Sequence, residues 1–265
     1  MTRFPIYQVD AFTSQRFAGN PAAVIPLDSW LPDATMQAIA RENNLAETAF
    51  LVPRREGEAD YGLRWFTPTT EVDLCGHATL ASAFALRACM GVTADRVVFD
   101  SRSGLLAVDC DGAFYTLDFP ANVPVPRADT RAVVDALDAA PTAVLKGGAF
   151  TLAVFANEDN VAGLSPDMAA ISAITDTIGI IATAPGQDLD FVSRFFAPGA
   201  GIPEDPVTGS AHTVLTPYWA RELGRTELWA RQISARGGDL QCRLVGDRVR
   251  IGGQCVLYLE GRILI

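Results

Sequence analysis

Apolar and polar positions alternate in short segments along the first part of the chain, which predicts β-strands. Such segments are RFPIYQVDAF, AAVIPL, TAFLVP and YGLRWFTP, followed later by RVVFDSRSGLLAVDCDGAFYTLDF. The stretch 78–90, ATLASAFALRACM, is instead apolar nearly all round, which predicts a helix buried on all sides. A sheet wrapped around this helix is the simplest way to bury it.

The second half of the chain repeats this organisation. WFTPTTEVDLCGHA corresponds to RFFAPGAGIPEDPVTGSA, and the apolar helix after each segment is predicted to end at a glycine. Pro32-Asp33 and Pro166-Asp167 form a second matching pair, each opening a short amphipathic helix before a β-type run. Two matches in the same order predict an α+β fold of two pseudo-symmetric lobes, each a curled, mostly antiparallel sheet around a central helix.

The stretch 120–137 is rich in proline and then in charge, which favours a junction between the two halves. We therefore place the N-terminal lobe at residues 1–122 and the C-terminal lobe at residues 123–265. The last strand is free to return to the first lobe.

Charge and cysteine content limit the classes of binding partner and the cellular compartment that we expect for this protein. The net charge is -10 and no basic cluster is present, which argues against nucleic acid and anionic membranes as partners. The start of the chain has no apolar signal segment, and no run of eighteen uncharged apolar residues occurs. Five cysteines without paired spacing are typical of reduced thiols, so we expect a cytoplasmic protein.

The sequence also lacks the common marks of a cofactor site. Lys146 is the single lysine, in a turn-like context that does not favour a Schiff base. Neither His77 nor His212 has a cysteine pair beside it, and no glycine-rich phosphate loop occurs. We expect no cofactor and no metal, so the reaction would use the protein's own side chains.

Two glycine-led segments are candidates for substrate binding, Gly76-His77-Ala78 and Gly209-Ser210-Ala211. If the halves pack face to face, the helix amides at these positions form an anion site, which suits a carboxylate substrate. The copies differ, because one offers an imidazole and the other a hydroxyl with Asp205 nearby.

Glu47 is the candidate acid/base, because it stands between an apolar helix end and an apolar strand. Its counterpart in the other copy falls around Ile181. A carboxylate buried in apolar surroundings is easier to protonate, as general acid/base catalysis requires.

Each candidate residue also has a purely structural interpretation. Glu47 could be a solvated loop carboxylate, and His77 could satisfy amides at a helix start. Asp205 and Asn20 could be turn residues, with Asn20 alternatively lining the site. Cys75 is most simply a small buried residue.

Taken together, the motifs FAGNPAAV, ETAF, DLCGHATLA and EDPVTGSAH resemble, in order and spacing, those of the PhzF-like phenazine biosynthesis family. The resemblance covers essentially the whole chain and implies the diaminopimelate epimerase fold, with the site between two lobes. It implies that Glu47 shuttles a proton, as in the isomerase acting on trans-2,3-dihydro-3-hydroxyanthranilate. It also implies that His77, Asp205 and Ser210 orient substrate, that no cofactor or metal is needed, and that the protein is a homodimer.

We therefore predict a cofactor-independent isomerase of a small cyclic or amino carboxylate, with substrate contacts from Asn20, Gly76, Ala78, Gly209 and Ala211. One alternative is an amino-acid epimerase that uses Glu47 and His77 on opposite faces of the substrate. Another is a non-catalytic binding protein with the same fold. Racemisation by two thiols is disfavoured, because Cys75 occupies roughly the first thiol's motif while DPVTGS offers no second thiol.

Overall fold

The computed structural model describes residues 2–265, which divide into two compact units. The first unit extends to Asp118 and also includes Gly252–Ile265, while the second comprises Phe119–Ile251. The division therefore falls within a strand, a little before the lobe boundary expected after residue 122. The end of the last strand belongs to the first unit.

The first unit combines strands with one surface helix and one buried helix. Its elements are β1 (Arg3–Ala11), β2 (Asn20–Pro26), α1 (Asp33–Asn43), β3 (Glu47–Pro53), β4 (Tyr61–Phe66), β5 (Glu71–Val72), α2 (Gly76–Phe84) with a π-helical turn (Ala85–Cys89), β6 (Arg96–Ser101), β7 (Gly104–Asp111) and β8 (Phe114–Pro120).

The second unit has a similar composition of elements. They are β9 (Val125–Pro126), α3 (Arg131–Leu137), β10 (Ala143–Gly147), β11 (Phe150–Val154), α4 (Glu158–Ala162), α5 (Met168–Ser172), β12 (Gly179–Pro185), β13 (Phe191–Ala197), a 3₁₀ turn (Pro198–Ala200), β14 (Ile202–Asp205), α6 (Gly209–Leu223), β15 (Glu227–Gln232), β16 (Gly238–Val245) and β17 (Arg248–Leu264).

The strands pair in the same order in both units. In the first, β1–β2 is antiparallel, β2–β3 parallel, β3–β4 and β4–β5 antiparallel, β4–β6 parallel and β6–β7 antiparallel. In the second, β10–β11 is antiparallel, β11–β12 parallel, β12–β13 and β13–β14 antiparallel, β13–β15 parallel and β15–β16 antiparallel. The sequence repeat is thus a repeat of strand connectivity.

Further pairings close the strands of the first unit into a barrel-like sheet. β1 pairs with β17, β7 pairs with β8, and β8 pairs with β17, so the order of neighbours returns to its starting strand. Closure satisfies backbone groups that an open sheet would leave at its edges. The fold is therefore sheet-rich, with most neighbouring strands antiparallel.

The two faces of the first sheet bury different elements. Phe50 and Phe66 meet edge to face, with ring centroids 5.5 Å apart, and they pack with Met36 and Ile39 of α1. Side chains alternate along a strand, so Glu47 lies on the face opposite Phe50. That face meets α2, which packs against β1, β2, β3 and β7.

The buried helix of the first unit begins at Gly76, where the glycine-led segment Gly76-His77-Ala78 predicted a helix start. Its regular part ends at Phe84 before the π-helical turn, which covers most of the rest of the apolar stretch 78–90. In the second unit, α6 ends as predicted, with Gly224 in the left-handed conformation at φ 65°.

Each unit contains an equivalent arginine clamp, on β4 in the first unit and on β13 in the second. Arg64 binds Glu71 through two hydrogen bonds of 2.6 and 2.7 Å and lies over the ring of Phe66. In the second unit, Arg194 binds Glu204 at 2.7 and 2.9 Å and lies over Phe196.

Within residues 2–265, no helix is both long enough and apolar enough to cross a membrane.

His212 makes the stability of the fold sensitive to acid. Its Nδ1 lies 2.8 Å from the carbonyl oxygen of Thr208 and must donate a proton there, while its buried Nε2 has no protein partner. Burial lowers the pKa of His212 from 6.5 to about 4. Between about pH 4 and pH 6.5, the unfolded chain therefore binds a proton at this residue that the folded protein does not bind.

We predict that the free energy of unfolding decreases as the pH falls from 6.5 to 4, by at most about 3 kcal/mol from this residue. His212→Gln keeps a donor for Thr208 but does not titrate, so its unfolding free energy should change less over the same range. Urea denaturation at several pH values measures both slopes. Equal slopes in the two proteins would exclude His212 as the source.

Candidate active site

Glu47 is placed by the start of a buried strand. It is the first residue of β3 and pairs in register with Ala22 of β2, on the face that meets α2. Asn20 begins β2 and shares this face, because it is two residues from Ala22. The Glu47 side chain is buried, with 8% of the residue exposed. The solvated loop position considered for Glu47 is therefore wrong.

His77 brings the start of α2 against this carboxylate. It lies in the first turn of the helix, is 6% exposed, and places Nε2 at 3.0 Å from Oε2 of Glu47. Both atoms are buried and lack a well-aligned hydrogen bond, so the contact is a close electrostatic one. Cys75, just before the helix, places Sγ at 3.5 Å from Nδ1 of the same ring. The imidazole thus stands between a carboxylate and a thiol.

The protonation of this cluster follows from its burial. Burial, assisted by the Glu47 carboxylate, raises the pKa of the Cys75 thiol to about 11. Burial alone lowers the pKa of His77, but Cys75 and Glu47 outweigh it and raise that pKa well above 6.5. Because the thiol is neutral near pH 7, the carboxylate is the group that favours the imidazolium. The Glu47–His77 pair can therefore hold a proton between its two members.

The same three side chains have the ligand types of a metal site, since Glu47, Cys75 and His77 offer atoms within 4.8 Å of one another. The two ring nitrogens of an imidazole point in divergent directions, however, and here one faces the thiol and the other the carboxylate. A cation bound to either nitrogen would lie away from one of the other two ligands. The arrangement therefore fits an acid/base pair of Glu47 and His77 with a neighbouring neutral thiol better than a metal centre.

The second unit presents Asp205 and Ser210 beside the start of α6. Asp205 is the buried last residue of β14, and Ser210 is in the first helical turn with Gly209 and Ala211. Thr208 occupies the position before the helix, but its hydroxyl donates to Oδ2 of Asp205 at 2.5 Å instead of capping the helix. No side chain caps α2 either. Gly76 and Ala78 lie in the first turn of that helix.

The sequence analysis did not identify two buried polar residues, Gln232 and Trp65. Gln232 is fully buried and hydrogen-bonded to Asp205 and Thr208. The sequence signal for the burial of Gln232 was the alternation of β15, whose inward positions are Leu228, Ala230 and Gln232. Trp65 is buried on β4, and its indole nitrogen has no protein partner.

The strand register corrects the counterpart of Glu47. β3 and β12 each have seven residues and end in proline, so Glu47 corresponds to Gly179 rather than to a residue near Ile181. A Cβ atom at Gly179 would lie 2.5 Å from the carbonyl oxygen of Phe196 and 2.8 Å from the ring of Phe195. The second unit therefore has no room for an acid/base at the equivalent position.

The chain is similar to known proteins over almost its whole length. Residues 9–261 match the profile of the phenazine biosynthesis-like protein family, PhzC–PhzF. The chain is 50% identical to an uncharacterized isomerase of Pseudomonas aeruginosa, covering 97% of this chain and 98% of the relative. A PhzF-family crystal structure from Enterococcus faecalis has a TM-score of 0.95 at 46% identity, with both chains fully covered.

A more distant structure shows how widely the fold is shared. The hydroxyproline epimerase of Agrobacterium vitis, solved with trans-4-hydroxy-L-proline bound, has a TM-score of 0.61 at 12% identity. The alignment covers 98% of this chain and 92% of the epimerase. At this identity the likeness concerns the fold alone.

We predict that Cys75 is a slow thiol. With a pKa of about 11 and a buried sulfur, it should react with iodoacetamide at pH 7.5 more than about tenfold more slowly than in the unfolded chain. Peptide mapping by mass spectrometry measures the rate, and the half-buried Cys89 provides an internal comparison. A rate equal to that of the unfolded chain would mean that the thiol of Cys75 is accessible and that its pKa is not raised.

Proposed function

The chain belongs to the phenazine biosynthesis-like (PhzC–PhzF) family, and we propose that it is an isomerase that moves a proton on a small cyclic or amino carboxylate. The observation that carries the proposal is the buried contact of 3.0 Å between Glu47 and His77. A carboxylate held in an enclosed site beside a proton-sharing imidazole is suited to general acid/base catalysis. The Pseudomonas aeruginosa relative also bears the name isomerase.

The proposed reaction is a shift of one proton between two carbons of the substrate. Glu47 removes a proton from the first carbon, and the electron pair left behind moves into the adjacent unsaturated system. The same carboxyl group then returns the proton to the second carbon, so no proton is gained or lost. His77 compensates the negative charge of Glu47 before proton removal and polarises the substrate during it.

We propose that the substrate carries a carboxylate, because the first turns of α2 and α6 have no side-chain cap. Amides at Gly76 and Ala78, and at Gly209 and Ala211, are suitable donors to anionic oxygens. In this proposal Asn20, Asp205 and Ser210 orient the rest of the substrate. The family resemblance makes trans-2,3-dihydro-3-hydroxyanthranilate the first compound to test, while a broader thermal-shift screen of cyclic and amino carboxylates covers other substrates.

The finer description of the fold is part of the same proposal. Equivalent strand pairing and equivalent arginine clamps support two pseudo-symmetric lobes of the diaminopimelate epimerase type, each with a sheet curled around its long helix. We further propose a homodimer, as the family resemblance implies, and light scattering coupled to size exclusion would measure its mass.

The alternative of an epimerase with two opposed bases is less well supported. Such an enzyme needs its two groups on opposite sides of one substrate carbon, so they cannot be in contact with each other. Glu47 and His77 are 3.0 Å apart, which fits one acid/base with its partner. A non-catalytic binding protein would not need this pair, and the exchange experiment below distinguishes it.

Glu47→Gln preserves the shape of the side chain but cannot carry the proton. We predict that this variant folds and binds substrate, while exchange of the substrate C–H in deuterated water falls at least about a hundredfold. Nuclear magnetic resonance follows the exchange, and calorimetry follows binding. Cys75→Ala is the matched control from the same cluster, and its exchange should stay within about tenfold of the wild type. Near wild-type exchange in Glu47→Gln would make Glu47 a structural residue.

The proposed mechanism needs no added cofactor. We predict that exchange is unchanged, within about twofold, after dialysis against EDTA and after gel filtration that removes small molecules. Metal content measured on the same samples serves as the control. Activity lost with EDTA and restored by one divalent ion would contradict the interpretation of Glu47 and His77 as a metal-free acid/base pair.

A further inference from the structure

Gln232 is a fully buried, uncharged polar residue that the proposed mechanism does not use. It ends β15, a strand whose other inward residues, Leu228 and Ala230, are apolar. Burying an amide is unfavourable unless its hydrogen bonds are satisfied. All of the hydrogen bonds identified for its side chain go to the segment 205–208, just before α6.

The direction of these hydrogen bonds is determined by the backbone. The amide of Thr208 can only donate, and it lies 2.8 Å from Oε1 of Gln232. The carbonyl oxygen of Asp205 can only accept, and it lies 2.7 Å from Nε2. The orientation of the Gln232 amide, often ambiguous in proteins, is therefore unambiguous here.

This orientation decides where the hydroxyl proton of Thr208 points. Nε2 of Gln232 also lies 3.2 Å from Oγ1 of Thr208 and, having only hydrogens to offer, donates to it. A hydroxyl has a single proton, and its other close partner is Oδ2 of Asp205 at 2.5 Å. Thr208 therefore donates to Asp205, and the carboxylate is the acceptor at the end of the chain Gln232–Thr208–Asp205.

Other contacts support the loop without affecting this direction. The hydroxyl of Ser234 donates to the carbonyl oxygen of Pro206 at 2.7 Å. Nδ1 of His212 lies 2.8 Å from the carbonyl oxygen of Thr208 and donates to it. Ser234 thus holds the same loop as Gln232 but makes no contact with the Thr208 hydroxyl, which makes it a natural control.

We infer that Gln232 is a positioning residue that presents Asp205 as the hydrogen-bond acceptor for an ammonium or hydroxyl group of the substrate. The inference rests on the proposed function in one respect, that Asp205 contacts the substrate. Amino and hydroxy carboxylates are the substrates that the family resemblance already implies, and the inference adds the residue that holds their acceptor in place. A carboxylate accepts from such groups more strongly than a neutral acceptor does.

The test compares ligands that differ only in the donor. Calorimetry would measure the affinity for anthranilate against benzoate, and for 2-aminocyclohexanecarboxylate against cyclohexanecarboxylate. The wild type should bind the amino member of at least one pair about tenfold more tightly or better. Gln232→Met, which has a similar shape but no hydrogen bonds, should lose most of this preference while its affinity for the unsubstituted acid stays within about threefold.

Control variants distinguish the direction of the hydrogen bond between Thr208 and Asp205 from simple support of the loop. Ser234→Ala should keep the preference for the amino ligand, and Gln241→Met, at an exposed position on the neighbouring strand, should behave as the wild type. Thr208→Val should lose the preference and Thr208→Ser should retain it, which tests the same chain if Gln232→Met does not fold. Thermal melting verifies folding of every variant.

The outcomes distinguish this inference from the proposed function. A wild type without preference for the donor, including failure to bind either amino ligand at millimolar concentration, would overturn the inference. Equal weakening of both ligands in Gln232→Met, or loss of preference in Ser234→Ala, would do the same, because the role would then be support of the loop. Undiminished proton exchange in Glu47→Gln, with the ligand preference intact, would refute the mechanism and leave the inference standing.

Discussion

The enclosed carboxylate of Glu47 is the constraint on which the first unit depends. Moving a charged carboxylate out of water costs several kcal/mol unless a partner compensates it. Glu47 contacts His77, whereas Arg64 of the arginine clamp lies on the other face of the sheet and binds Glu71. An imidazole compensates the charge and can also give up its proton, which an arginine cannot do. The same contact therefore lowers the cost of burial and leaves the carboxylate chemically usable.

The second unit shows what the fold looks like without this constraint. At the position equivalent to Glu47 it has Gly179, packed so closely against Phe195 and Phe196 that no side chain would fit. It has an arginine clamp like that of the first unit, with Arg194 on Glu204. The clamp is thus common to both copies, while the acid/base is specific to one. This difference favours a structural role for the clamps and a catalytic role for Glu47.

Sequence reasoning reached the parts that depend on local pattern. Alternation found the strands, the all-round apolar stretch found α2, and Pro32-Asp33 marked the start of α1, with Asp33 as its first residue. It assigned Glu47 correctly to a buried position, because the neighbouring residues are apolar on both sides. It placed the counterpart of Glu47 only approximately, two residues from Gly179, because the exact position depends on strand register, which is a property of paired segments. Gln232 was missed for the same reason, since its partners are far away in the chain.

The buried polar residues of the two units differ in how their protons are arranged. Around His77, the ring lies between the Glu47 carboxylate and the neutral thiol of Cys75, and its contact with the carboxylate allows a proton to move within the Glu47–His77 pair. Around Gln232, a backbone amide that can only donate and a backbone carbonyl that can only accept fix the direction of each hydrogen bond. The hydroxyl proton of Thr208 therefore points to Asp205. The first arrangement suits a group that must change protonation during a reaction, and the second suits a group that must remain an acceptor. The two halves of the repeat therefore share one strand connectivity but differ in the hydrogen-bond networks of their buried polar residues.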